Sequence, residues 1–64
     1  MNIVEEYEKE IAGRLVSIVV RHEQDKPLPY YAVSSLNVDG SGKTLEEAKM
    51  KCENATKMEI SMNR

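Results

Sequence analysis

Asn37 to Thr44 reads Asn-Val-Asp-Gly-Ser-Gly-Lys-Thr and ends in the Gly-Lys-Thr with which a phosphate-binding loop closes. Such loops hold phosphate oxygens on backbone N–H groups at a helix N-terminus, and their lysine and hydroxyl complete the contact. Gly42, Lys43 and Thr44 are therefore candidate anion contacts. Asn37 stands where the loop's first glycine is required, and nucleotide hydrolysis also needs a large parallel sheet and a second acidic Mg²⁺ ligand. The same stretch imitates a calcium loop through Asn37, Asp39, Ser41 and Gly42. It fails at Ala48, where a bidentate glutamate must close the coordination shell.

His22 is the single histidine and Cys52 the single cysteine. Neither has a second histidine or cysteine at ligand spacing, so no metal site is expected. No serine, cysteine or carboxylate pairs with His22 at a recognisable spacing either, which leaves no catalytic residues, no cofactor and no enzyme activity to expect.

Binding chemistry remains, and it concentrates in the proline-bounded segment His22 to Tyr31. Loops held by a rigid scaffold often carry function, and Pro27 and Pro29 reduce the ordering entropy such a loop would lose on binding. Tyrosine suits interfaces because it buries a ring and keeps its hydroxyl bonded. The expected partner contacts are His22, Lys26, Leu28, Tyr30 and Tyr31, with Tyr30 as the anchor.

These residues need elements to position them. Asn2 is placed to cap a helix in which Ile3, Val4, Tyr7, Ile11 and Leu15 recur every three or four positions, with Gly13 near its end. Its acids, Glu5, Glu6, Glu8 and Glu10, would form a solvated face or a docking surface for a basic partner. From Leu15 to His22 the pattern changes to β-branched alternation, with Val16, Ile18 and Val20 on one face and Ser17, Val19 and Arg21 on the other. That predicts a strand. Tyr30 to Leu36 reads as a second strand, antiparallel because the connection is too short for a helical crossover.

Asp39, Gly40 and Gly42 support either a tight hairpin with a short third strand or a direct lead into a helix. Thr44 with Glu47 makes a capping box, followed by Leu45, Ala48, Cys52, Ala55, Met58 and Met62 at helical spacing. Cys52 on that stripe is a core thiol. The expected class is α+β: a small antiparallel sheet of two or three strands with an N-terminal and a C-terminal helix.

Length and charge bound the rest. The chain has 64 residues, one domain over 1–64, and a chain this short buries only about 60% of the surface its unfolded form exposes. Partner binding or homodimer formation would stabilise so small a core. A lone cysteine suits the reducing cytoplasm, and no segment targets a membrane. Nine basic against eleven acidic residues give a net charge of −2, which disfavours nucleic acid as the partner and favours a protein.

Tyr30-Tyr31-Ala32-Val33-Ser34, followed by Gly40-Ser41-Gly42-Lys43-Thr44-Leu45-Glu46-Glu47-Ala48, resembles the middle of HicB-type antitoxins, within Tyr30 to Ala55. That family's Pro-Asp-Leu-Pro-Gly-Cys turn is replaced by Ser35-Leu36-Asn37-Val38-Asp39-Gly40. The resemblance implies a bacterial or phage inhibitor that neutralises a small protein partner without catalysis. The Gly-Ser-Gly-Lys-Thr opening and Ala48-Lys49 also look like the last helix of a shortened double-stranded RNA-binding domain. That likeness implies nucleic-acid binding, although Glu46 and Glu47 stand where phosphate-gripping lysines belong.

Overall fold

Ala12 and Gly13 both take left-handed backbone conformations, with φ of 51° and 80°. Positive φ at both central residues is the mark of the two-residue turn whose twist matches that of paired strands. It folds the N-terminal third of the chain into a hairpin, β1 (Asn2–Ile11) against β2 (Arg14–His22). The computed structural model describes residues 2–62. Beyond the hairpin come β3 (Tyr30–Ser34), β4 (Asp39–Gly42) and a single helix, α1 (Leu45–Met62).

The four strands form one antiparallel sheet in sequence order, β1-β2-β3-β4. Each joins the next by a turn its residues explain. The amide of Glu23 donates to the Pro29 carbonyl at 2.7 Å, closing the polar loop between β2 and β3. Between β3 and β4 the Ser34 amide donates to the Val38 carbonyl, and Asn37 supplies the left-handed residue with φ of 63°.

Register places Val16, Ile18 and Val20 of β2 on the same face as Ala32 and Ser34 of β3 and Gly40 and Gly42 of β4. The helix covers this face. Ile11, Val16, Ile18, Val20, Ala32, Ala48 and Cys52 are the buried apolar residues, and Tyr7, Tyr30, Leu36, Leu45 and Ile60 pack around them. Complete burial of a side chain such as Ile18 stabilises the fold by about 1.5–3 kcal/mol. The helix rests mainly on β4 and β3. It can come so close because Gly40 and Gly42 present no side chain to it: a Cβ on Gly42 would stand 2.8 Å from the Ala48 nitrogen.

The N-terminal helix expected from Asn2 to Gly13 does not form, so the described residues run as four strands and one helix. Ile3, Tyr7, Ile11 and Leu15 do recur at helical spacing, but Tyr7 and Ile11 are also an even number of residues apart and share a strand face. Glu5 and Lys9 share that face and make it look polar. Tertiary pairing satisfies both, since Glu5 bonds Lys49 and Lys9 bonds Glu53 on α1. The acids therefore complement no helix dipole.

The second strand ends at Ser34 rather than Leu36, because Ser34 turns the chain back, and the third strand forms. The strand from Leu15 to His22 is present, with Arg14 added. The capping box is also present: the Glu47 amide donates to the Thr44 hydroxyl at 3.1 Å, and the Glu47 carboxylate accepts from the Lys43 amide at 2.7 Å. The buried stripe of α1 runs through Ala48, Cys52, Thr56 and toward Ile60, whereas Met58 and Met62 are 63% and 77% exposed. A strict step of four follows the line on which this helix crosses the glycine-faced strand.

Candidate protein-binding surface

The sheet has two unlike faces. The one opposite α1 has no element over it among the described residues. Cross-strand pairing assigns its members: Ile3 with Arg21, Glu6 with Val19, Glu8 with Ser17 and Glu10 with Leu15 on the first hairpin. Val19 with Val33 and Arg21 with Tyr31 continue it onto β3, and Tyr31 with Ser41 and Val33 with Asp39 onto β4. Directly opposed residues share a face, so these form one continuous surface.

At its centre lie Val19 and Val33, half-buried only by their neighbours. The Tyr31 hydroxyl donates to the Asp39 carboxylate at 2.9 Å and holds the ring along the surface. That bond raises the Tyr31 pKa first, burial and the Asp39 charge add to the rise, and Arg21 opposes it. On the β1 side, Glu6, Glu8, Ser17 and Val19 line a shallow depression of about 290 Å³. Ser17 donates to Glu8 at 3.4 Å. Leu15 and Ile3, 67% and 54% exposed, mark opposite ends of the face. Glu6, Glu8, Glu10 and Asp39 against Arg21 make the whole acidic.

The expected contact residues do not form one cluster. His22 and Tyr30 pair on the helix side of the sheet, with ring centroids 4.7 Å apart and planes tilted by 50°. Tyr30 packs against the core. Tyr31 points to the opposite face, as alternation requires. Lys26 and Leu28 project from the β2–β3 loop, both exposed. At the start of α1, Gly42 is buried beneath the helix, and the Lys43 amide and Thr44 hydroxyl are engaged with Glu47. The backbone donors there already face a carboxylate of the chain itself.

A second polar arrangement joins β1 to α1. Tyr7 and Lys9 both donate to Glu53, at 2.5 and 2.8 Å, and Lys49 donates to Glu5 at 2.9 Å while lying 4.8 Å from the centre of the Tyr7 ring. Burial pushes the Tyr7 phenol up, and its bond to Glu53 pushes it further. The Lys49 ammonium is raised chiefly by its bond to Glu5. Burial raises the Cys52 thiol, against the Thr56 hydroxyl, which is placed to donate to a thiolate. Cys52 itself is fully buried and donates to the Val38 carbonyl at 3.5 Å.

No three acidic, histidine or cysteine side chains among the described residues converge as a metal site. No helix among them is long and apolar enough to cross a membrane. Val19, Arg21, Val33 and Asp39 are surface residues that the loop-centred reading passed over, while Glu6 and Glu8 belong to the acids expected as a solvated face or a docking surface and stand here on a strand instead of a helix. The alternation of Ser17, Val19 and Arg21 carried the signal, and the hidden period of two in Glu6, Glu8 and Glu10 completed it. No protein-family model, curated protein or solved structure matches the chain.

Proposed function

We propose that this chain is a non-catalytic module that binds a protein partner through the open face of its sheet and thereby inhibits or regulates it. One observation carries the reading: α1 covers a single face, while the other leaves Val19, Val33, Leu15 and Ile3 accessible between acidic residues. An apolar centre, the pair Val19 and Val33, within a charged rim has the composition of an interface. The acidic rim selects a partner with apolar residues bordered by lysine or arginine, since opposed potentials steer association and exclude like-charged competitors. A small buried core gives the same reading thermodynamic support, because binding stabilises a marginal fold by mass action. The resemblance of Tyr30 to Ala55 to HicB-type antitoxins agrees with an inhibitor of bacterial or phage type. The reading puts the protein in the reducing cytoplasm, where Cys52 stays a free thiol.

Capture from a bacterial lysate with wild type and with Val19→Glu, each shown to be folded by circular dichroism, tests the reading. A basic protein retained by the wild type and lost with Val19→Glu is the expected result. Equal retention by both moves the interface elsewhere. Retention of RNA or DNA, with affinity falling steeply as salt rises, overturns the protein reading in favour of nucleic acid.

A further inference from the structure

β1 is an edge strand. Its inner edge pairs with β2 in unbroken register from Glu5 with Val20 to Ile11 with Arg14, and a bulge between Ile3 and Glu5 ends that regularity. No strand pairs with its outer edge among the described residues. The helix packs mainly on β4 and β3 and reaches β1 through the side chains of Lys49 and Glu53, which leaves the outer main-chain groups of β1 without a strand beside them among the described residues. Beside this edge, on the helix side, lies a depression of about 260 Å³ lined by Lys9, Ile11, Glu53 and Asn54 among others.

An unpaired edge invites another strand, and natural sheets protect such edges with charges and bulges. Here the protection is selective. In the face-matched antiparallel registers that overlap most of β1 with a second copy, glutamates oppose glutamates, as where Glu6 meets Glu10 and Glu8 meets Glu8. Like charges directly opposite are destabilising. A strand with basic residues at every second position meets the reverse situation: its charges oppose those glutamates on the open face. Its intervening side chains then lie on the helix side, beside Tyr7, Ile11 and the alkyl stem of Lys9, whose ammonium is held by Glu53, and beside the adjoining depression.

We infer that the outer edge of β1, from Glu5 to Ile11, takes up an extended peptide segment alternating basic and apolar residues, adding it as a fifth strand. Main-chain hydrogen bonds supply the affinity and alternate side chains the selectivity. This inference rests on the proposed protein-binding role and names the segment of the partner that docks.

The test uses a synthetic peptide alternating lysine and valine, titrated against the whole chain by NMR, with three comparison peptides. One replaces lysine by glutamate, one keeps the lysines in a scrambled order without alternation, and one carries N-methyl groups on the backbone nitrogens facing β1. The expected result is saturable binding with the largest amide shifts from Glu5 to Ile11. Affinity should fall at least about tenfold on N-methylation, since several main-chain hydrogen bonds are lost. Binding that survives N-methylation or scrambling is ionic adhesion and overturns the inference, as does a shift pattern centred on Val19 and Val33. Absence of binding also overturns it. A partner still captured by the wild type and lost with Val19→Glu would then leave the broader role standing without the edge.

Discussion

A Cβ atom on Gly40 would stand 2.4 Å from the backbone nitrogen of Cys52 and 2.9 Å from the carbonyl carbon of Lys51. Strand β4 and helix α1 thus meet backbone to backbone, and the Gly-Ser-Gly sequence that imitates a phosphate loop is consumed by packing. Gly40→Ala must push the helix away from the sheet, at a cost of about 1–3 kcal/mol for overpacking. In a domain this small that lowers the melting midpoint by roughly 4–8 °C per kcal/mol. An unchanged midpoint by thermal denaturation would show that β4 and α1 sit farther apart.

The turn at Ala12 discriminates a hairpin from a helix by the sign of one substitution. Ala12 holds φ of 51°, a region that costs an alanine roughly 1–2 kcal/mol and that asparagine tolerates. Ala12→Asn should therefore stabilise the protein by about 1 kcal/mol. In a helix the same change would destabilise by roughly 0.5 kcal/mol. The urea midpoint decides between them.

Thr56 is fully buried, and its hydroxyl faces no partner but the Cys52 sulfur, a weak acceptor that leaves it unsatisfied while the thiol keeps its proton. An unsatisfied buried hydroxyl costs about 1–3 kcal/mol, so Thr56→Val, nearly equal in shape, should raise stability by about 1 kcal/mol. The neighbouring Cys52 thiol should react with a thiol reagent only as fast as the fold opens. Chemical denaturation checks the first expectation and labelling kinetics the second. Rapid native labelling would expose an error in the position of the helix.

Burial pushes the Glu53 carboxyl up, but hydrogen bonds from Lys9 and Tyr7 and the charges of Lys9 and Lys49 outweigh it, and the pKa lies below its ordinary value. Stability from a depressed carboxylate is present above its unfolded pKa of about 4.3 and is lost as pH falls through the folded value. Tyr7 is displaced upward from 10.0, by burial first and then by Glu53. Its contribution is present below about 10 and is lost as pH rises toward the folded value. Glu53→Gln should flatten the acid limb of a stability–pH profile and Tyr7→Phe the alkaline limb. Profiles parallel to wild type in both variants would mean that β1 and α1 are not coupled through these groups.

The sequence alone determined the elements whose signals are local. Val16 to Val20 alternate as only a half-buried strand does, Pro27 and Pro29 keep the following loop out of a helix, and Thr44 with Glu47 begins α1 with a capping box that is present in the fold. The opposite facing of Tyr30 and Tyr31 was legible for the same reason, a period of two.

Tertiary structure decided what depended on distant partners. Glu5 and Lys9 point inward on β1 because Lys49 and Glu53, more than forty positions away, receive them, and no local pattern can announce such a partner. Without it the segment reads as a charged amphipathic helix. The open face was half legible, in Ser17, Val19 and Arg21 alone. Its acidic half appeared only when the two-residue turn laid Glu6 and Glu8 beside Val19 and Ser17, because cross-strand pairing joins residues that the chain keeps apart.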